Sequence, residues 1–214
     1  MIFKDRNEAG YLLADKLEKY KKTDAVILAI PRGGVPIAYI IAQTLNLPLE
    51  VVLSKKIGHP FHKEYAIGAV TLKSRILSDA AIDVSAAYIE EQTKRIRDLL
   101  QKRYEEYYGD KKPLQLKDKT LIIVDDGIAT GNTIQSTIKM LHDEKPEKIV
   151  VAIPVAPSSA IKKLQGSPFI DEIICLSTPL NFQAVGQFYE NFNQVDDIEV
   201  NKLLKKTSKI SNNN

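Results

Sequence analysis

Residues 120–133 read TLIIVDDGIATGNT, and the order of residue types in this stretch decides the fold. Leu121 to Val124 form an unbroken apolar run, the mark of a strand buried on both faces, and the run stops at Asp125 and Asp126. Gly127, a short spacer and then Thr130, Gly131, Asn132 and Thr133 follow, after which Ile134, Ile138 and Leu141 recur at helical spacing. The pattern is strand, acidic pair, Gly/Thr turn, helix.

Each part has a chemical use. A turn of Thr130, Gly131 and Thr133 at a helix start aims unpaired backbone N–H groups and hydroxyls at one point, where the helix dipole favours negative charge. That suits a monophosphate. Asp125 and Asp126, acceptor-only when ionised, would repel the phosphate and take hydrogen bonds from hydroxyls, so the stretch describes a ribose 5-phosphate. Paired acids after a strand also serve as helix caps or solvated turns. A phosphoacceptor receiver domain ends strands in acids too, but leaves the Thr/Gly turn unexplained. The chain has no GxxxxGK[ST] run and no GxGxxG after a strand, which removes the triphosphate loop and the dinucleotide fingerprint.

Working outward, Asp5 or Asn7 caps a helix to about Tyr20, and Ala25 to Ile30 form a first buried strand. That strand ends in Pro31, Arg32, Gly33 and Gly34, either an ordinary strand-to-helix turn or an anion-wrapping loop with Arg32 as its charge. Leu49 to Leu53 form a third strand, followed by Lys55 and Lys56 in SKKIG. The stretch 59–64, with His59 and His62, reads as a mobile loop flanked by a hairpin of Ala66–Val70 and Arg75–Leu77. Asp83 or Ser85 opens an amphipathic helix to about Tyr108, about 35 Å long at the helical rise, for packing or a subunit contact. Strands at Ile149–Ile153 and Glu172–Leu176, with a short helix capped by Ser158 between them, complete a βα alternation. The fold class is therefore α/β, a mainly parallel sheet flanked by helices, with the three polar loops at the carboxyl ends of its strands. Phe182, Phe188, Tyr189 and Phe192 supply either a stacking surface for a planar base or core.

The 214 residues suit a single domain over 1–206, with 207–214 as a polar tail. A net charge of +3, spread along the chain, announces no nucleic-acid face. Cys175, the sole cysteine, lies in the apolar run IICL and reads as a buried thiol suited to a reducing cytoplasm; there is no Cys/His cluster for zinc. Apolar runs end within about ten residues where roughly twenty span a bilayer, so no membrane association is expected.

VDDGIATGNT resembles the phosphoribosyl pyrophosphate signature of the type I phosphoribosyltransferases. A poorly assigned subgroup of predicted phosphoribosyltransferases shares PRGGVP, KxGxP, AIGA, VDDGIATG and AVGQFYxxFxQV, so the likeness covers nearly the whole chain. The resemblance implies a phosphoribosyltransferase fold with a small hood, mainly residues 177–200 with the N-terminal segment, and a flexible loop that closes over the reacting centre. It implies Asp125 and Asp126 on the ribose hydroxyls and Gly127 and Ala129 to Thr133 around the 5-phosphate. Arg32, Gly33 and Gly34 would hold pyrophosphate, and Lys55 and Lys56 would neutralise it, although a lysine where the family often has arginine loses the bidentate fork. It implies Mg²⁺ held mainly through substrate oxygens with no protein metal ligands, and a possible homodimer. The activity implied is transfer of phosphoribosyl to a nitrogen acceptor, a nucleobase, with Asp125, Asp126, Arg32 and Lys56 as catalytic residues. The alternative is a non-catalytic regulator that binds phosphoribosyl pyrophosphate or a nucleotide.

Overall fold

The pentapeptides Ala25–Ala29 (β1) and Thr120–Val124 (β6) are buried at every position and lie parallel, Ile27 against Ile122. Around this pair the chain, in a computed structural model that describes residues 1–210 apart from 64, 110 and 111, runs as follows. Helix α1 (Arg6–Lys16) precedes β1, and α2 (Gly34–Leu45) and β2 (Leu49–Val51) follow it. Strands β3 (Ser54–Gly58), β4 (Ala66–Thr71) and β5 (Arg75–Leu77) lead into α3 (Ala86–Tyr108) and so to β6. Then come α4 (Asn132–His142), β7 (Lys148–Val155), α5 (Ser158–Gln165), β8 (Glu172–Ser177) and α6 (Asp197–Ile210).

The main sheet has the order β2-β1-β6-β7-β8 and is parallel throughout. Alternation along its strands divides the core. Ile27, Ile122 and Val150 pack with Leu13, Ile41, Leu100 and Leu204 on one face, while Leu28, Leu121, Ile123 and Val151 pack with Ile134, Ile138 and Leu164 on the other. Covered on both faces, the sheet offers solvent its strand ends, and the loops leaving the carboxyl ends of β1 and β6 share one edge. No helix among the described residues is long and apolar enough to cross a membrane.

Several expected elements differ in detail. Helix α1 stops at Lys16 and tightens into a 3-10 turn over Glu18–Tyr20, because the chain must reverse into β1; Lys22 takes the left-handed conformation there. Residues 54–58 are not a loop. The third strand ends at Val51, and after Val52 and Leu53 the chain enters β3, which pairs antiparallel with β4 and places Lys55 opposite Val70 and Lys56 opposite Ala69. Ile57, Ile67 and Val70 are fully buried in the core shared with Ile89 and Ile96 of α3, and that burial draws the segment into a three-stranded arm with β5. Of the stretch expected as a loop, 59–64, residues 59–63 lie in the β3–β4 tip, where the Tyr65 carbonyl accepts from the His59 N–H at 2.8 Å. Its residue 64 lies outside the described residues, as do 110 and 111 of the connector and 211–214 of the tail.

Ser85, not Asp83, caps α3, accepting from the Tyr88 N–H at 3.3 Å. Pro157 rather than Ser158 holds the cap position of α5. Cys175 is half-buried, with Sγ 3.2 Å from the Ser177 carbonyl oxygen. Helix α6 extends to Ile210, and Thr207 is buried.

The edge strand β2 carries one group at odds with its surroundings. Burial pushes the Glu50 carboxyl up to about 7, against an opposing hydrogen bond from the Leu114 N–H at 2.7 Å. A carboxyl that holds its proton in the folded chain, but loses it near 4.5 when unfolded, leaves stability intact below pH 4.5. It lowers stability as pH rises from there to about 7. Glu50→Gln keeps the acceptor for Leu114. The variant is expected to match the natural chain at pH 4 and to exceed it by on the order of 2 kcal/mol at pH 8, measured by denaturant unfolding at both pH values.

Candidate active site

The loops after β1 and β6 touch. A Cβ on Gly33 would lie 2.0 Å from Asp126 Oδ2, and one on Gly34 would lie 2.6 Å from the Val124 carbonyl oxygen. Any larger side chain at either position would push the acid-bearing loop away, so the glycines give the two loops a common wall. The Pro31–Arg32 peptide is cis, and the Gly34 N–H donates to the Ile30 carbonyl at 3.1 Å.

The two acids have different surroundings. Asp125 is half-buried as a residue, but its carboxyl is enclosed, and that desolvation holds it well above the usual carboxylate range, with the neighbouring Asp126 charge adding to the rise. Its Oδ1 accepts the Asp126 N–H at 2.9 Å. Asp126 is paired. Arg6 donates to its Oδ2 from Nη2 at 2.8 Å and Nε at 3.1 Å, with both side chains under one-fifth exposed. The same guanidinium donates from Nη1 to the Asn193 carbonyl at 2.8 Å and lies 3.9 Å from the centre of the Phe192 ring.

Local sequence explains how Arg6 reaches this place. Asp5 caps α1 by accepting from the Asn7 and Glu8 N–H groups, which puts Arg6 in the first turn. The Phe3 N–H donates to the Phe188 carbonyl at 2.8 Å, and Phe3 and Tyr189 form a parallel bridge. The Tyr189 hydroxyl in turn donates to the Asp126 carbonyl at 2.7 Å. The N-terminal segment and residues 188–193 are thus tied to the acid loop by side chain and backbone alike.

On the far side of the acids, Gly127 is buried against Val185, and Ala129, Thr130 and Thr133 are exposed. Gly131 adopts φ 75° at the N-cap of α4 and its carbonyl accepts the Gln135 N–H at 3.0 Å. The left-handed residue starts the helix abruptly, and the first-turn N–H groups of α4 have no partner within the helix. The Asn132 side chain lies outside the description.

A cleft of about 500 Å³ opens beside Gly33, lined by Arg6, Arg32, Gly33, Arg103, Asp126 and Phe192 among others. Arg32 donates from Nε to Asp197 Oδ1 at 3.1 Å, and the Tyr107 hydroxyl donates to the same oxygen. That hydrogen bond, then Arg32, lowers the Asp197 carboxyl, while burial first and Asp197 second push the Tyr107 hydroxyl up to about 12. Lys55 and Lys56 do not line the cleft; both are exposed on β3. Sequence reasoning missed Arg6, Arg103, Tyr107 and Asp197. Arg6 follows a cap residue and Arg103 sits on the polar face of a long helix, where no spacing marks either. The aromatic residues of the hood are chiefly packing: Phe188 and Tyr189 are buried, Phe182 stacks on Phe188 with ring centres 5.4 Å apart, and Arg6 covers Phe192.

The phosphoribosyl transferase domain model matches residues 4–189, and the chain belongs to that family. A crystal structure of a Thermus thermophilus protein is 36% identical and superposes with a TM-score of 0.83, covering 96% of this chain and 99% of that one. A Mycobacterium tuberculosis protein named a candidate phosphoribosyl transferase is 36% identical over 209 residues, 95% of this chain and 46% of its own length. The chain therefore spans about half the length of the curated relatives it matches first. The uracil phosphoribosyltransferase of Mycoplasma genitalium is 38% identical over 65 residues, 30% of this chain and 32% of that protein.

The unequal acids predict unequal variants. Asp126→Asn loses the charge that holds Arg6 in a largely buried place and should cost about 1–3 kcal/mol at pH 7. Asp125→Asn replaces a carboxyl that burial already resists ionising, and should leave stability unchanged or raised at that pH. Thermal melts of the two single variants read the difference.

Proposed function

We propose that this chain transfers phosphoribosyl from phosphoribosyl pyrophosphate to a nitrogen acceptor of the nucleobase class, releasing pyrophosphate. The observation that carries this reading is the contact between Gly33 and Asp126, which joins the di-glycine loop, the acid pair and the Thr/Gly turn into one site. The 5-phosphate sits on the N–H groups and hydroxyls of Ala129 to Thr133, held by the helix N-terminus. The ribose hydroxyls bond to Asp125 and Asp126, and pyrophosphate lies along Arg32, Gly33 and Gly34.

In the reaction the bond from the anomeric carbon to pyrophosphate breaks with its electron pair leaving on oxygen, and the acceptor nitrogen forms the new bond with its lone pair and releases its proton to solvent. Positive charge builds on the ribosyl ring and negative charge on the leaving group. The Asp126 carboxylate stabilises the first and Arg32 the second, both placed before the reaction begins. Asp126 has two oxygens and Arg6 holds Oδ2 through both of its bonds, so Oδ1 is the atom offered to a ribose hydroxyl. Asp125, inclined to keep its proton, can both donate and accept.

The donor set fits Mg²⁺ as an ion that arrives on the substrate. Asp125 and Asp126 stand side by side at the strand end, and among the described residues no three His, Cys, Asp or Glu side chains converge on one metal position. When bound, Mg²⁺ would add positive charge to the pyrophosphate oxygens.

Incubating the protein with Mg²⁺, phosphoribosyl pyrophosphate and a panel of nucleobases should release pyrophosphate with at least one base. Asp125→Asn/Asp126→Asn should lower that rate at least about 100-fold while circular dichroism shows the fold retained. Undiminished turnover in the double variant would refute the assignment of the acids. Tight binding of the activated sugar, with no pyrophosphate from any base, would make the chain a regulator instead.

A further inference from the structure

The cleft beside Gly33 is lined by three arginines, Arg6, Arg32 and Arg103, and one carboxylate, Asp126, already engaged by Arg6. Its lining therefore carries two positive charges unmatched by a carboxylate of its own. Asp197 offsets Arg32 from outside the lining, through an ion pair whose partners are 38% and 39% exposed. Water screens such a pair, and it exchanges readily for a stronger anion. Arg103 is exposed on α3, one turn before Tyr107, and its charge reaches Asp197 and the Tyr107 hydroxyl. Among the described residues it makes no hydrogen bond or ion pair. An unengaged guanidinium facing a cleft is a donor fork waiting for an oxyanion.

We infer that Arg103, together with Arg32 and Arg6, binds the pyrophosphate group. This rests on the function proposed above and adds to it a residue that no motif singled out. The geometry places the positive charge for the leaving group on α3 and the N-terminal helix, since Lys55 and Lys56 lie outside this cleft. Pyrophosphate carries several negative charges on the terminal oxygens of two tetrahedral phosphorus centres, which suits forks converging from α1, the β1–α2 loop and α3. Arg6 bonds to Asp126 and lines the same cleft, so it links the ribose end of the site to the leaving-group end.

The test is titration calorimetry with inorganic pyrophosphate and Mg²⁺ on the full chain. Arg103→Gln should weaken binding at least about tenfold, the loss expected of a charge-assisted pair. Arg103→Lys should recover part of it, and Arg95→Gln, the same change at another exposed position of α3, should stay within about twofold of the natural chain. With phosphoribosyl pyrophosphate as varied substrate, Arg103→Gln should change kcat/KM, and the KM for the acceptor should stay constant. If Arg103→Gln binds pyrophosphate like the natural chain, or raises only the acceptor KM, the inference is overturned while the proposed function stands. If the natural chain binds no pyrophosphate, the proposed function falls with it.

Discussion

The ion pair between Arg6 and Asp126 joins three parts of the chain that are far apart in sequence. One partner stands in the first turn of the first helix, the other at the tip of the central strand, and the guanidinium rests on a ring from the C-terminal quarter. Burying a carboxylate beside another acid is costly, and the cost falls sharply once a guanidinium supplies two hydrogen bonds and an opposite charge. With that pair in place, the Tyr189 hydroxyl can close on the Asp126 carbonyl and the N-terminal segment can bridge to residue 189.

The sheet supplies what such a pair requires. Parallel strands buried on both faces hold β1 and β6 in fixed register, so Val124 and Ala29 end together and the loops that follow cannot drift apart. Gly33 then allows an approach that any side chain would forbid. Rigid strands, a missing Cβ and a compensated charge act in series, and the cleft is what remains between them. The arm of β3, β4 and β5 is built on a different principle, an antiparallel ribbon anchored through Ile57, Ile67 and Val70, and it carries its lysines on the outside.

Much of this is legible in the residue order. Unbroken apolar runs at 25–29 and 121–124 point to the parallel sheet, and the acid pair and Gly/Thr turn stand where the pattern puts them because strand ends and helix starts have strong local chemistry. Local patterns do not record long-range pairing. Ser54 to Gly58 reads as a polar loop because its two lysines mask the single inward residue, Ile57, whose partners lie in other elements. Arg6, Arg103 and Asp197 carry no signal at all. Each is a charged residue on a helix, and only the tertiary arrangement distinguishes them from their solvated neighbours. The hood aromatics are ambiguous for the same reason, since a ring for stacking on a ligand and a ring for stacking on another ring share one composition.

Phe3 and Lys4 pair by backbone hydrogen bonds with the stretch from Phe188 to Asn191, so the first residues of the chain and its C-terminal quarter meet over the site. A seam held by three backbone hydrogen bonds opens more easily than a central sheet, in small excursions with free energies well below that of global unfolding. Amide exchange would therefore be faster along this seam than in β1 and β6. Each brief fraying would uncouple the guanidinium from its acid while the scaffold beneath stayed intact, so function could lapse and return without the molecule ever unfolding.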